Sequence, residues 1–384
     1  DMKTNSHLQN SIEKFFNTEI NTILKPLDKK INVKLTITDN KKDTLIHLLI
    51  IIINKIKLDN KKGAVFKARL YTDAIKIIQS YQHESIIDSK HLREHFRLKG
   101  KKKFTKLLVK IDEFIDTGTI EEAERYKVMP EVKSLMELTK IYAIGPAKAK
   151  ELYLKHSIIT IDELRKKVHI DSTIINNKQK IGLVHYTDLA KRIPRSEIIE
   201  YERELLSIAV KLNKNIILSI NGSYRRGLDT SGDIDILITS NEGDTSVIRQ
   251  KFIEELKTQG IIIETLASGK KKFMGLSKLS KYNYNIVRHL DIIDTRSTEF
   301  PFAQLYFTGS GGFNSYMRGI ALSKGYSLNE YCLSHKKTKI PVNAKEISDK
   351  LHKSLFETEE DIFRFLDMEY VSPCDRQKST LNKY

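Results

Sequence analysis

Two aspartates stand one residue apart at the start of an apolar stretch, in the segment GSYRRGLDTSGDIDILIT (residues 222–239). Side chains at positions i and i+2 of a β-strand point to the same face. Asp233 and Asp235 are therefore expected to lie side by side, while Ile234 and Ile236 pack on the other face. Because adjacent carboxylates repel each other unless a cation lies between them, this pair predicts a divalent metal site.

The residues before the aspartates supply groups that bind phosphate. Gly222 allows close approach of the backbone, Ser223 offers a hydroxyl and an amide, and Arg226 offers a planar fork of N–H donors. A third carboxylate comes from VRHLDIID, where Asp291 is flanked by apolar residues. Together these groups predict phosphoryl or nucleotidyl transfer assisted by two metal ions. The alternative is an ordinary surface strand end, with Asp291 as a turn acid.

The elements that must position these residues change in character along the chain. Apolar residues recur at three- and four-residue spacing from residue 41 to about 195, which predicts helices. After Pro194, short β-rich segments alternate with helical ones, as is typical of an α/β unit around a mixed sheet. The predicted units are an amino-terminal extension at 1–40, helical units at 41–130 and 131–195, an α/β unit at 196–297 and a smaller mixed unit at 298–384.

The net charge indicates the class of partner, and the cysteine content indicates the cellular compartment. The 384 residues carry a formal net charge of +17, which suits a polyanion such as nucleic acid, although a compositional bias toward lysine is the alternative. The two cysteines are too few for a disulfide scaffold and lack the spacing of zinc ligands. No secretory signal pattern or membrane-spanning stretch is evident, so we expect a reducing, intracellular location.

Several segments, in this order, resemble the family X DNA polymerases, with the polymerase beta type as the nearest pattern. They are IGPAKAKEL, KRIPR, GSYRRG with SGDIDILI, HLDI, and YFTGS with KGYSLNEY, and the likeness covers roughly residues 40–370. The resemblance implies an α/β, multi-subdomain fold. A helical lyase-like module would be followed by helix-hairpin-helix elements, a nucleotidyltransferase palm with a mixed β-sheet, and a subdomain that binds the nascent base pair.

The resemblance also implies roles in a polymerase site. Asp233, Asp235 and Asp291 would hold two Mg²⁺ ions, with Mn²⁺ as an alternative, and Asp291 would be the base for the primer 3′-hydroxyl. Arg318 would contact the templating strand. The residues implied to contact the incoming nucleotide are Arg192, Gly222, Ser223, Arg226, Ser231, Gly232, Tyr306, Phe307, Gly309 and Asn314.

The helical module at 41–130 is expected to carry a second activity. Its segment RLKGKKKFTKLLVK contains seven basic residues and no acid. Crowded ammonium groups favour a fraction of neutral, nucleophilic amine. By resemblance, Lys110 is the Schiff-base lysine of a 5′-deoxyribose-phosphate lyase. Its DNA-binding neighbours would be Lys67, Tyr71 and Lys106, with Lys103 on the same helix face. The alternative is a basic face that only holds DNA.

The Gly-Pro turn in AIGPAKAK resembles the second helix-hairpin-helix of the family. Gly145 and Lys148 would contact a primer-strand phosphate there, with Na⁺ or K⁺ bound at the turn. The corresponding first hairpin falls at LKGKKKF, which has a single glycine and is expected to be degenerate. Lysine charge would then replace backbone recognition of the downstream strand.

Some positions depart from the family pattern. His289 and Ile293 stand where two basic residues usually flank the third aspartate. Ile293 cannot form an ion pair, so the usual restraint on the second aspartate is expected to be missing. Gly311 and Ser315 replace longer polar side chains at the nascent base pair, which predicts altered fidelity. Glu122 stands where a lysine often assists the lyase, and this weighs against that activity.

The combined prediction is a template-directed, gap-filling DNA polymerase of base-excision repair, with 5′-deoxyribose-phosphate lyase activity. The expected partners are gapped or nicked double-stranded DNA, deoxynucleoside triphosphates and a repair protein such as a DNA ligase, and the chain is expected to be monomeric. The nucleus is the expected location, or a viral factory or virion if the source is a virus. Two alternatives stay open: a template-independent transferase that extends single strands or tails RNA, and a non-catalytic scaffold for DNA ends.

Overall fold

A computed structural model describes residues 41–59, 61–79 and 105–377. The predicted extension at 1–40, Lys103 and the LKGKKKF segment lie outside these residues. Within them, the first part of the chain is helical, as predicted. Its α-helices are α1 (Lys41–Asp59), α2 (Ala64–Gln79), α3 (Thr105–Thr117), α4 (Glu121–Lys127), α5 (Pro130–Leu138), α6 (Pro146–His156), α7 (Ile161–Ile170), α8 (Asn177–Val184) and α9 (Tyr186–Leu189).

Helix α1 contains the apolar run of the sequence and is buried along most of its length, with Leu45, Leu49 and Ile52 inaccessible to solvent. One hydrophobic cluster extends from Leu45 in α1 to Leu183 in α8. The two helical units therefore share a core, and the Lys150 ammonium adds a hydrogen bond to the Leu58 carbonyl oxygen. No helix in the described ranges combines the length and the apolar character needed to cross a membrane.

A mixed β-sheet follows the helical part. The strands of this part of the chain are β1 (Ile193–Pro194), β2 (Ile216–Ile220), β3 (Thr230–Ser231), β4 (Ile234–Ser240), β5 (Ile262–Ser268), β6 (Lys272–Leu279) and β7 (Tyr284–Asp294). Five of them form the sheet, in the order β2-β4-β7-β6-β5, and β1 and β3 form a separate pair. Strands β4 and β7 are parallel, and the other neighbouring pairs in the sheet are antiparallel. The helices of this unit are α10 (Arg195–Leu212), α11 (Gly222–Arg225) and α12 (Thr245–Thr258).

The two faces of the sheet have different partners. Tyr201 of α10 and Phe252 of α12 pack with Ile234 and Ile236 of β4 in one hydrophobic cluster. On the opposite face, Leu237 packs in a small hydrophobic cluster with Ile293 of β7 and Ala303. The period-two pattern of β4 therefore leaves the aspartates on the face that α10 and α12 do not cover.

The carboxy-terminal unit is a small mixed structure, as predicted. Its elements are α13 (Phe300–Thr308), α14 (Gly311–Ser323), β8 (Tyr326–Leu328), β9 (Leu333–His335), α15 (Ala344–Leu351), α16 (Glu359–Phe365) and a 3₁₀ turn at Pro373–Gln377. Phe313, Met317, Phe363 and Phe365 form its hydrophobic centre. Helix α13 also contacts α16 and β4, so this unit packs directly against the sheet that carries the aspartates.

Gly182 in α8 provides a test of how the helical part packs. A Cβ atom at this position would lie 2.3 Å from the Tyr142 carbonyl oxygen. We therefore expect Gly182→Ala to lower the free energy of unfolding by about 2 kcal/mol, measured by urea denaturation with circular dichroism. Gly319→Ala in α14 is the control, because its Cβ would meet no atom within 4 Å. That substitution should be neutral or stabilise by up to ~1 kcal/mol, and equal losses in the two variants would contradict the packing described.

Candidate active site

The three aspartates of the sequence prediction lie where the start of β4 runs beside the last residues of β7. Asp235 is the register partner of Asp291 across this parallel pair, and Asp233 directly precedes β4. Ile234 and Ile236 are fully buried on the other face. The alternation of acid and isoleucine therefore presents the carboxylates together, as the sequence predicted.

Burial and the proximity of like charges both act on this cluster. Burial, together with the charges of Asp233 and Asp291, raises the pKa of Asp235 to about 7, although Lys272 and Arg226 oppose the shift. A carboxyl group in this position is stabilised by any cation that reaches it. Carboxylate oxygens are also the ligands that Mg²⁺ and Mn²⁺ prefer, so the donor set fits a divalent ion. In the described ranges, however, no group of three or more His, Cys, Asp or Glu side chains is already arranged to coordinate a metal ion.

A lysine that sequence reasoning missed contacts the third aspartate. The Lys272 ammonium nitrogen lies 2.6 Å from Asp291 Oδ2. In the family pattern, His289 stands at one of the two positions where a basic residue usually flanks this aspartate. Burial lowers the pKa of His289, which favours its neutral form at pH 7, and its ring packs 5.2 Å from that of Tyr142. The charged neighbour of Asp291 therefore comes from β6 and not from β7.

The turn after β2 brings a glycine and an arginine to the aspartates. Gly222 has φ +59°, and a Cβ atom there would lie 2.8 Å from Asp235 Oδ2, so only glycine fits without displacing the carboxylate. Arg226 Nη1 donates a 2.6 Å hydrogen bond to the Thr308 carbonyl oxygen. Its Nε is buried without a hydrogen-bond partner. Such an unpaired donor is costly unless a ligand oxygen accepts from it.

A cleft of about 560 Å³ opens between this turn, Asp233 and Asp235, and the start of the carboxy-terminal unit, whereas Asp291 is not part of its lining. Its lining contains almost all of the predicted nucleotide contacts. Ser231 is the exception, since it is 1% exposed and its hydroxyl has no hydrogen-bond partner. Leu228, Ser310 and Gly311 line the cleft in addition to the predicted residues. The predicted residues in the lining are Arg192, Gly222, Ser223, Arg226, Gly232, Asp233, Asp235, Tyr306, Phe307, Gly309 and Asn314.

The far wall of the cleft is built by α13 and the turn after it. The rings of Tyr306 and Phe307 meet edge to face, with centroids 5.0 Å apart. Asn314 Nδ2 donates a 2.8 Å hydrogen bond to the Tyr306 carbonyl oxygen, and this bond orients the amide. Arg318 lies outside the cleft lining, with its guanidinium 5.2 Å from the Tyr306 ring centroid and 4.0 Å from a Glu330 carboxylate oxygen.

A buried ionic network ties the phosphate-binding turn to the carboxy-terminal unit. Arg225 Nη1 donates to Thr308 Oγ1 at 2.6 Å, and its Nη2 lies 2.6 Å from Glu359 Oε2. Arg376, which is fully buried, pairs with the other oxygen of Glu359 at 2.7 Å. One carboxylate therefore holds two arginines from distant parts of the chain. Sequence periodicity gives no signal for this arrangement because the partners are far apart in sequence.

The predicted lyase residues come together in the helical part, but with a different charge pattern. The Lys110 ammonium forms an ion pair with Glu122, whose other oxygen accepts a 2.9 Å hydrogen bond from Tyr126. Burial raises the pKa of Tyr71 to about 12, with the Glu122 charge adding to the shift. Burial opposes ionisation of Glu122, but the hydrogen bonds from Lys110 and Tyr126 lower its pKa. Within the described residues, the Lys110 ammonium therefore pairs with a carboxylate. Five of the seven basic residues of the RLKGKKKFTKLLVK segment lie outside these residues, so the crowding of ammonium groups stays a prediction.

The other two lysines of the predicted lyase region lie near this pair. Lys67 adds to the positive potential at Glu122, whereas Lys106 lies on the same helix as Lys110 and is exposed. Glu122, which had been identified only as a departure from the family pattern, is thus a direct partner of the candidate nucleophile.

The predicted helix-hairpin-helix turn connects α5 and α6. Ala143 occupies the left-handed region at φ +64°, and its carbonyl oxygen accepts a 3.1 Å hydrogen bond from Gln179. Gly145 is the N-cap of α6 and offers no side chain to its first amides. Lys148 pairs with Glu151 at 3.3 Å. The turn can therefore offer backbone N–H groups to a phosphate, as helix-hairpin-helix recognition requires.

Comparison with known proteins gives three consecutive family matches. Residues 136–190 match the fingers domain of DNA polymerase lambda, 192–296 match the DNA polymerase beta palm, and 303–377 match the DNA polymerase beta thumb. The chain is 28% identical over 326 residues to DNA polymerase lambda of Rattus norvegicus, across 83% of this chain and 54% of the relative. It is 27% identical over 329 residues to DNA polymerase lambda of Arabidopsis thaliana, across 80% and 57% respectively. The chain thus spans little more than half the length of these relatives.

Glu359→Gln tests the network that joins the turn to the carboxy-terminal unit. Removing the shared carboxylate charge leaves Arg376 buried without a counter-charge and should lower the free energy of unfolding by about 3 kcal/mol. The neighbouring Glu360 is exposed, so Glu360→Gln is the matched control and should change stability by less than about 0.5 kcal/mol. Urea denaturation measures both variants. Indistinguishable midpoints would show that the network contributes little.

Proposed function

The chain belongs to the family X DNA polymerases, whose fingers, palm and thumb it carries in order, and on this premise we propose that it fills short gaps in DNA. In this proposal it adds templated deoxynucleotides to a primer 3′-end during base-excision repair. The alignments cover little more than half of the length of the named relatives. The polymerase activity of those proteins is therefore proposed, and not established, for this chain.

One observation carries the proposal. The register of β4 and β7 puts Asp235 beside Asp291, and Asp235 lines a cleft together with Gly222, Ser223 and Arg226. The acids suit divalent cations, and the turn that holds Gly222, Ser223 and Arg226 suits a triphosphate. Nucleotidyl transfer needs these two features within one site.

The proposed roles follow from the chemistry of each group. The primer 3′-oxygen attacks the α-phosphorus of the nucleotide, pyrophosphate leaves, and Asp291 accepts the hydroxyl proton. Two divalent ions held by the three aspartates, Mg²⁺ or Mn²⁺, would stabilise the charge on the attacking and leaving oxygens. Arg192 and Arg226 would bind the triphosphate, since planar guanidinium groups match phosphate oxygens. The unpaired Nε of Arg226 supports this assignment.

Tyr306, Phe307 and Gly309 would contact the sugar of the incoming nucleotide, and Asn314 would reach its base. The hydrogen bond between Asn314 and the Tyr306 carbonyl oxygen supports a fixed orientation of that amide. Arg318 would contact the templating strand. Backbone amides at Gly145 would bind a primer-strand phosphate, with Na⁺ or K⁺ at the same turn.

Extension of a one-nucleotide gap tests this proposal. The wild-type protein with Mg²⁺ and the four deoxynucleotides should add the templated nucleotide. Asp291→Ala should reduce the rate by about 10³-fold or more, because a metal ligand and the base are lost together. The exposed Asp229 lies in the same segment as the site, and Asp229→Ala is the control that should retain activity. Primer extension on a gel measures all three.

A single-stranded primer separates this proposal from its alternatives. Efficient extension without a template would identify a tailing transferase. No extension of any substrate, together with tight DNA binding, would indicate an end-binding scaffold.

We also propose 5′-deoxyribose-phosphate lyase activity for the helical module. Here the Lys110 amine attacks the aldehyde of the opened sugar, water leaves, and a Schiff base forms. Lys67, Tyr71 and Lys106 would hold the 5′-phosphate. The contact between the Lys110 nitrogen and Glu122 opposes the reaction, because the nitrogen must leave this carboxylate to reach the sugar.

Borohydride trapping on DNA with a 5′-deoxyribose phosphate tests the lyase proposal. Lys110→Ala should abolish the trapped protein–DNA product, whereas Lys106→Ala should slow its formation without abolishing it, because Lys106 would bind the phosphate and not form the Schiff base. Glu122→Gln removes the counter-charge from the nucleophile and should increase the trapping rate by about threefold or more. Equal trapping by Lys110→Ala and wild type would refute the assignment of Lys110.

The remaining proposals concern the cellular setting. We propose a nuclear location, a monomeric state and cooperation with a DNA ligase, which seals the nick that remains after gap filling. The sequences of the two relatives come from a rat and a plant and give no support to a viral source.

A further inference from the structure

The β5–β6 hairpin delivers a lysine to the acid cluster from a strand that the active-site motifs do not include. Lys272 is the first residue of β6 and the cross-strand neighbour of Ile293 on β7. Its ammonium reaches past Ile293 to Asp291 Oδ2 at 2.6 Å. The Lys272 side chain is 44% exposed, whereas that of Asp291 is 13% exposed. A flexible, largely solvated cation is thus paired with a nearly buried acid.

Hydrogen bonds to the hairpin turn hold the backbone just before Lys272 in place. Arg249 Nη2 donates to the carbonyl oxygens of Gly269 and Lys270, at 3.1 and 2.9 Å. The next residue, Lys271, lies 3.6 Å from Glu299 and 4.6 Å from the Tyr331 ring centroid. Consecutive lysines therefore have different partners, and only the Lys272 side chain is directed to the acid cluster.

No other cation has this position in the described ranges. Of the salt bridges among the described residues, one involves Asp233, Asp235 or Asp291, and it is the pair of Asp291 with Lys272. Arg226 is committed to the Thr308 carbonyl oxygen. The like charges of Asp233, Asp235 and Asp291 attract a cation, and the ammonium of Lys272 is the cation that the fold itself supplies.

We propose that Lys272 is a built-in counter-cation of the acid site, a positioning residue that pairs with Asp291 until a divalent ion displaces it. This inference rests on the proposed function, because it takes the three aspartates as the metal ligands. An internal ammonium and an external metal ion then compete for the same carboxylate. Metal binding is weakened in the free protein, and an exposed ammonium is released beside the site when the ion binds.

Mn²⁺ binding to the free, full-length protein tests the inference without any measurement of activity. Electron paramagnetic resonance of unbound Mn²⁺ gives the affinity directly. Lys272→Met removes the competing charge and keeps the length of the side chain, so Mn²⁺ should bind about three- to tenfold more tightly. Lys272→Arg retains the charge and should keep the affinity near that of wild type. Lys271→Met is the matched control and should also leave the affinity unchanged.

Asp235→Asn separates failure of this inference from failure of the proposed function. If Asp235→Asn weakens Mn²⁺ binding but Lys272→Met binds as wild type does, the aspartates are the metal site and the inference about Lys272 is wrong. If Asp235→Asn binds Mn²⁺ as wild type does, the aspartates are not the metal site and both fail. Tighter binding in Lys272→Met alone, with circular dichroism unchanged, supports the inference.

Discussion

Repulsion between carboxylates on two parallel strands is the constraint on which the rest of this site depends. The register of β4 and β7 fixes Asp235 beside Asp291, and burial of the isoleucines on the other face prevents the strands from sliding to separate them. Burial first, and the charges of Asp233 and Asp291 second, raise the pKa of Asp235 to about 7, which records the cost of holding these carboxylates together away from water. The surrounding residues are best understood by how they respond to that cost.

The responses come from three different parts of the chain. Gly222 leaves room for the Asp235 carboxylate, and Lys272 supplies a positive charge to Asp291. The Glu359 carboxylate then holds Arg225, which keeps the phosphate-binding turn against α13. Asp233 and Asp235 line the same cleft as Arg192 and Arg226, so negative and positive charges lie in one site. A metal–triphosphate complex, which carries both signs of charge, is complementary to this arrangement.

The sequence could predict what depends on local periodicity and on residue type. Alternation in DIDILI predicted that the acids share one face, and the glycine before them predicted a close approach, which the structure shows to be to Asp235 itself. The partner of Asp291 could not be predicted in this way. Lys272 reaches that aspartate only because β6 pairs with β7 in a particular register, which spacing along the chain does not specify.

Ion pairs between residues far apart in the chain could not be predicted from the sequence. Glu122, twelve residues after Lys110, pairs with that lysine, and the spacing along the chain gives no sign of this contact. The ionic network of Arg225, Glu359 and Arg376 was invisible for the same reason, since its members are brought together only by the tertiary fold. Ser231 shows the opposite case, in which a residue of the motif is buried behind the cleft wall.

The most direct test of the central claim is a crystal structure with one-nucleotide-gapped DNA, a non-hydrolysable deoxynucleotide and Mn²⁺, with the metal located by anomalous scattering. We expect two Mn²⁺ peaks between Asp233, Asp235, Asp291 and the triphosphate, with the Lys272 ammonium withdrawn from Asp291. An absence of Mn²⁺ at the aspartates, with the triphosphate bound elsewhere, would show that the aspartates are not the metal site.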